Sequence, residues 1–240
     1  EAFILHYQPQ VSLHDGKIVG FEALIRWIDG ENGVISPLDF IPLAEETGLI
    51  AQIGDWVIRQ AIKDWSTLIE LGYTNTSMAV NVSAYQFRKE AHLNQVIHDT
   101  LSQHASCNPK HFTIELTEST LIQDIEDTAA ALEHIKTLGI GVSIDDFGTG
   151  YSSLNYLKRL PIDQLKIDRS FVQDLTHDSN DQAIVAAIIA MAQKLELKIV
   201  AEGVEEAVQG ESLLAQGCGY AQGFYYYKPM TLEQLKALEK

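Results

Sequence analysis

Cysteine is nearly absent from the 240 residues: Cys107 and Cys218 stand far apart and in no CxxC arrangement, so neither a disulfide framework nor a thiolate metal site is signalled. Basic residues are scarce as well. Seventeen Lys and Arg face 33 Asp and Glu, a formal net charge of −16. So acidic a chain repels phosphate backbones and anionic lipid, which argues against a general DNA or RNA binder and against a membrane-surface protein. The longest apolar run, Ala183 to Ala192, is far short of the ~20 residues that a membrane helix needs. The opening EAFILHYQPQ has neither the basic region nor the small-residue cleavage site of a signal peptide, and a cytoplasmic setting is the expectation. It also lacks an initiator Met, which predicts one domain, residues 1–240, excised from a longer protein whose other parts could be membrane-anchored. Asn75-Thr76-Ser77 and Asn81-Val82-Ser83 match glycosylation sequons, and without a secretory signal they are read as chance. The eight histidines contain no HExxH and are read as surface or packing residues.

What is present is ordinary globular composition, 46% hydrophobic and 21% charged, enough for a real core. β-branched and aromatic runs begin at residues 3, 17, 77, 111, 141, 164 and 197, and a short last strand is expected near Gly219 to Tyr225. Between them lie stretches of helical period beginning at 37, 55, 91, 125, 181 and 204, several ending in Gly. The apolar stripe in AIVAAIIAMA reads as core. No linker interrupts the alternation, so it predicts one α/β architecture, a (β/α)₈ TIM-like barrel first and a doubly wound open sheet second.

Polar residues fall where buried strands would not choose them. Glu22, Asn81, Glu115, Asp145 with Asp146, Lys166 and Glu202 each lie at or near the end of a strand-like run. Taken singly, each is a turn or cap residue. In a barrel, the carboxyl ends of all parallel strands meet on one face, and there these acids would repel one another severely without cations. Oxygen ligands with no His or Cys pattern point to Mg²⁺ or Mn²⁺. The segment Asp145-Asp146-Phe147-Gly148-Thr149-Gly150-Tyr151-Ser152-Ser153 supplies a tight Gly-bearing loop whose paired carboxylates could bridge two metals. It lacks the GK[ST] of a P-loop, and its DFG has no kinase HRD or Gly-rich loop.

The ordered set YQP at Tyr7, Glu22-Ala23-Leu24 with Arg26, NVS at Asn81, ELTES at Glu115, DDFGTGYSSL at Asp145, LKIDRSFV at Leu165, AEGVE at Ala201 and QGFYYYKPM at Gln222 resembles the EAL domain, the phosphodiesterase family that cleaves cyclic di-GMP. Glu206 stands where Thr is common, and YYYKP replaces a more usual aromatic-Ser-Lys/Arg-Pro ending. The resemblance implies a barrel whose first strand runs antiparallel to the rest. It also implies hydrolysis of cyclic di-GMP to linear pGpG by a two-metal mechanism with metal-activated water, using two Mg²⁺ or Mn²⁺ ions. Glu22, Asn81, Glu115 and Asp145 would ligate one ion, and Asp145, Asp146 and Glu202 would serve the second. Lys166, Glu202 and Glu22 would be catalytic, while Gln8, Leu24, Arg26, Gln222 and Pro229 would contact substrate. Glu118 would anchor the DFGTG loop, although a first-turn acid of the following helix would look the same. The family also implies a homodimer through that loop and a helix starting near Ser152. A degenerate, inactive cyclic di-GMP receptor is the alternative. A Mg²⁺ barrel enzyme abstracting a proton from a carboxylate substrate is another, but it leaves Arg26, Asn81 and the DDFGTG loop without a role.

Overall fold

A computed structural model describes residues 2–30, 33–88, 90–122, 125–149 and 157–238. Strands β1 (Phe3–Ser12), β2 (Ile18–Asp29), β4 (Ser77–Asn81), β5 (Phe112–Thr117), β6 (Gly141–Phe147), β7 (Gln164–Ile167), β8 (Lys198–Ala201) and β9 (Tyr220–Ala221) form a closed barrel. The short β3 (Gly33–Ile35) pairs antiparallel with β2 at the outer edge. From β2 through β9 the barrel strands are parallel, whereas β1 is antiparallel to both of its neighbours, β2 and β9. This is the strand direction expected from the resemblance. The final strand is shorter than the sequence suggested: Tyr220 and Ala221 alone close the ring, pairing with Ser12 and Val11 on one side and with Val200 and Ala201 on the other.

Strand alternation divides the side chains into two sets. Phe21, Met78, Val80, Phe112, Ile114, Leu116, Val142, Ile144, Leu165, Ile167 and Ile199 belong to the buried apolar cluster under the helices. The opposite parity, facing the barrel axis, carries Gln8, Gln10, Glu22, Thr113, Glu115, Ser143, Gln164, Lys166 and Gln222. Most barrels fill this interior with bulky branched residues. Here it is a polar column, and the strand layer owes its cohesion to the outer, helix-covered face.

The helix Ile50–Glu70 shows how that face is covered. Val57, Ile58, Ala61, Ile62, Trp65 and Leu68 recur at three- and four-residue spacing and are buried. The helix begins five residues before the expected Asp55, because Gly54 lies inside it and is not a break. A Cβ at Gly54 would collide with the Gln86 side-chain amide, so the glycine admits a side chain that also caps the helix Ala84–Phe87. In the helix Ser179–Lys194, only Val185, Ile188, Ile189 and Ala192 are buried, and Ile184 is exposed. The core stripe of AIVAAIIAMA is thus these four positions, at helical spacing. The other expected helices are found at Pro37–Glu46, Glu90–Ser102, Ile125–Thr137 and Ala207–Ala215. Among the described residues, no helix is long and apolar enough to cross a membrane.

Candidate active site

Each strand delivers its polar residue to the carboxyl-end mouth. Glu22 lies within the long β2, Asn81 ends β4, Glu115 is in β5, Asp145 and Asp146 are in β6, Lys166 is in β7, and Glu202 directly follows β8. Lys166 is fully buried at the hub of this cluster. Its Nζ lies 2.7 Å from Glu202, 2.8 Å from Glu115, 3.1 Å from Asp145 and 3.2 Å from Glu22. A strand-end lysine on a solvated surface would show none of these contacts.

Two groups of carboxylates could each hold a cation: Glu22 with Glu115 and Asp145, and Asp145 with Asp146 and Glu202. Asp145 is common to both. No histidine enters either group. Glu115 Oε1 is buried without a hydrogen-bond partner. Such an oxygen fits a hard divalent cation, since an uncompensated buried carboxylate oxygen is costly. Asn81 Nδ2 donates to Glu22 Oε1 at 2.7 Å, which ties the Asn81 side chain to that carboxylate.

A chain of amides fixes Glu22 from the other side. Gln222 Nε2 donates to Glu22 Oε2 at 2.6 Å and to Gln8 Oε1 at 3.0 Å, while Gln10 Nε2 donates to Gln222 Oε1 at 3.1 Å. Gln10 was not among the expected site residues. Its signal was its spacing: in Gln8-Pro9-Gln10 the two glutamines share a face of β1.

Burial and like charge set the protonation pattern. Burial alone would raise Glu22, but Lys166 and the amides of Gln222 and Asn81 outweigh it and hold the pKa below the usual carboxylate range. Burial, with Glu22 and Asp145 nearby, pushes Glu115 well up despite Lys166. Glu202 is pushed up to about 8 by burial and by Asp145 and Glu22, again against Lys166. Asp146 rises to about 6 through burial, Asp145 and Asp168. Lys166 is desolvated, yet its four carboxylates carry its pKa well above the ordinary lysine value. Asp168, which also caps the helix Arg169–Gln173, is a second group missed in the sequence, and it sits only two residues beyond Lys166.

The loop after β6 begins under strain. Asp146 adopts φ 53° and Gly148 φ 101°, both in the region that side chains disfavour. Gly148 N–H donates to Glu118 Oε2 at 3.0 Å, and Glu118 is buried at the start of the helix Glu118–Ile122. Glu118 is thus both a first-turn acid and the loop's acceptor. Residues 150–156, including the expected helix start near Ser152, lie outside the described residues.

Beside the cluster, a cleft of about 570 Å³ is lined by Leu24, Arg26, Asn81, Glu115, Asp145 and Asp146, among others. Arg26 is half-buried, with one guanidinium N–H on the Ile25 carbonyl at 2.8 Å. Pro229 is not among the lining residues of this cleft. It precedes Met230, whose backbone pairs with Tyr7.

A closed barrel with its polar cluster at the carboxyl ends of the strands has the layout of a barrel enzyme. The chain belongs to the EAL domain family, whose model matches residues 1–229. It is 49% identical over 98% of its length to the bifunctional diguanylate cyclase/cyclic di-GMP phosphodiesterase MucR of Pseudomonas aeruginosa, covering 34% of that protein. It is 44% identical over 97% of its length to the cyclic di-GMP phosphodiesterase NbdA of the same organism, covering 29%. The chain thus spans about a third of the length of these relatives. Among solved structures, a PaMucR phosphodiesterase in complex with c-di-GMP superposes with a TM-score of 0.93 at 48% identity, covering 98% of this chain and 94% of that one. The EAL enzyme Bd1971, bound to cAMP and cyclic di-GMP, gives 0.94 at 34% identity, covering 100% and 65%.

Proposed function

We propose that this domain hydrolyses cyclic di-GMP to linear pGpG with two Mg²⁺ or Mn²⁺ ions. The observation that carries the reading is the pair of carboxylate groups sharing Asp145 around a buried Lys166. Five carboxylates against one ammonium leave a formal −4 on the cluster, a charge that two divalent cations would balance. Glu22, Asn81, Glu115 and Asp145 would hold one ion, and Asp145, Asp146 and Glu202 the other. Bound there, divalent ions would polarise the phosphodiester and make water a competent nucleophile near neutral pH.

The chain's own side chains would do the rest. Lys166 would donate to the attacking water or to a phosphoryl oxygen, and its position between Glu22 and Glu202 lets either carboxylate accept the released proton. Arg26 would grip a substrate phosphate through its forked guanidinium. Gln8 and Gln222 would position the ligand, with Leu24 and Pro229 against the nucleoside. Glu118 would hold the loop that carries Asp146 in one conformation, and a homodimer through that loop would offer a way to tune it. The reading places the domain in a bacterial cytoplasm. The test is to incubate the protein with cyclic di-GMP and Mg²⁺ or Mn²⁺, with and without chelator, and to identify the products by chromatography. Tight binding with no product under any divalent metal would move the domain to the receptor class.

A further inference from the structure

The barrel's other mouth holds a cavity of about 660 Å³. Its wall is built where the strands begin: Ser77, Gly141, Gln164, Lys198 and Tyr220 open β4, β6, β7, β8 and β9, and Thr113 is the second residue of β5. Its charge is opposite to that of the chain. Acids outnumber bases about two to one in the sequence, yet the lining has Lys110, Lys136 and Lys198 with a single carboxylate, Asp163.

That carboxylate is already satisfied. Asp163 takes Lys136 Nζ on both oxygens, at 2.6 and 2.7 Å, and the Val142 N–H at 2.8 Å. Lys110 and Lys198 have no carboxylate within ion-pair distance among the described residues. The Lys198 ammonium lies 4.3 Å from the centre of the Tyr220 ring, a contact that eases but does not replace a missing counter-ion. Burial pulls its pKa below the ordinary lysine value, outweighing the opposing field of Glu115. Asn75, Ser77 and Thr113 add neutral hydrogen-bonding groups to the same wall.

We propose that this cavity is a second ligand site, taking a phosphate group carried by a small anion of up to nucleotide size, with Lys198 and Lys110 as its counter-charges. The chemistry selects phosphate. Two separate ammonium groups act as point charges, and they suit the multiple charge and several oxygens of a phosphate better than the single charge of a carboxylate. The volume falls within the range of small-molecule pockets. Lys110, Lys198 and Tyr220 make no ion pair or hydrogen bond with the cluster around Lys166 among the described residues; only the longer-range field of Glu115 reaches Lys198.

Calorimetric titration in chelator tests it, with inorganic phosphate, pyrophosphate and AMP as probes and acetate as the control anion. Saturable binding of a phosphate probe is expected, weakened about tenfold or more in Lys198→Met, weakened in Lys110→Ala, and unchanged in Arg26→Ala. Tighter binding of AMP than of pyrophosphate assigns the phosphate to a nucleotide, and the reverse order assigns it to a free phosphate anion. If circular dichroism shows Lys198→Met unfolded, Lys198→Arg must retain binding while Lys110→Ala still weakens it. No saturable binding of any phosphate probe, equal binding of acetate, or loss in Arg26→Ala with retention in the lysine variants would overturn the assignment.

Discussion

Lys166→Met removes the one cation at the centre of the carboxylate cluster while keeping much of the side-chain volume. In the wild type this ammonium, wholly buried, meets four carboxylates between 2.7 and 3.2 Å. Removing one partner of a buried charge network typically costs about 3–5 kcal/mol, because the other charges are left uncompensated. For a domain of this length each kcal/mol shifts Tm by about 2–4 °C, so the variant is expected to melt roughly 6–20 °C lower at pH 8. The loss depends on pH in a definite direction. Glu202 titrates at about 8 in the fold against an ordinary 4.5, so its protonated form contributes stability that is present at low pH and is lost as pH rises from the unfolded value through 8. Without Lys166, the folded carboxylates hold protons still more strongly, and the gap between variant and wild type should widen from pH 5 to pH 8. Divalent cation should narrow it by mass action on the folded state, while phosphodiesterase activity stays lost. Differential scanning fluorimetry across pH, with Mg²⁺ or chelator, reads all three effects. A variant as stable as wild type at pH 8 and pH 5 alike would refute the electrostatic argument.

Asp145→Asn should abolish activity and weaken binding of both ions, because Asp145 belongs to both carboxylate groups; a metal titration matching wild type would remove it as a ligand. Arg26→Ala should raise KM by roughly tenfold or more, from the loss of a charge-assisted phosphate contact, while metal titration is unchanged; a fall in metal affinity would place Arg26 in the cluster. Glu118→Ala deletes the acceptor of the Gly148 N–H, an interaction of about 1.5–3 kcal/mol for a charged acceptor. It should lower activity and second-ion affinity while circular dichroism stays native, and ultracentrifugation of the wild type should show a dimer. A silent substitution in a monomeric, fully active protein would return Glu118 to a helix-terminus role.

Much of the site was legible because its residues break a local rule. Glu22, Asn81, Glu115 and Asp145 stand at positions where parallel strands favour apolar side chains, and the barrel geometry explains why distant exceptions converge. The bare sequence did not carry strand direction: an antiparallel β1 has the same two-residue period as a parallel one, and the resemblance supplied that detail. The helical stretch was expected from Asp55, yet Gly54 lies inside the helix, where its lack of a side chain makes room for Gln86. The two-residue β9 is too short to show any period. Lys166 was visible as an odd residue, but its role as hub depends on four strands meeting around it. Gln10 and Asp168 act through neighbours that only the closed ring brings near.

If the carboxylate centre hydrolyses one phosphodiester of cyclic di-GMP with water as the nucleophile, an oxygen from solvent must enter the product. Cyclic di-GMP is turned over in ¹⁸O-labelled water with Mg²⁺ or Mn²⁺, and the product is analysed by mass spectrometry. The prediction is pGpG with one labelled oxygen on its 5′-phosphate, formed only with divalent cation and abolished in Asp145→Asn. Unlabelled product, product formed equally in chelator, or full activity in the Asp145 variant would contradict it.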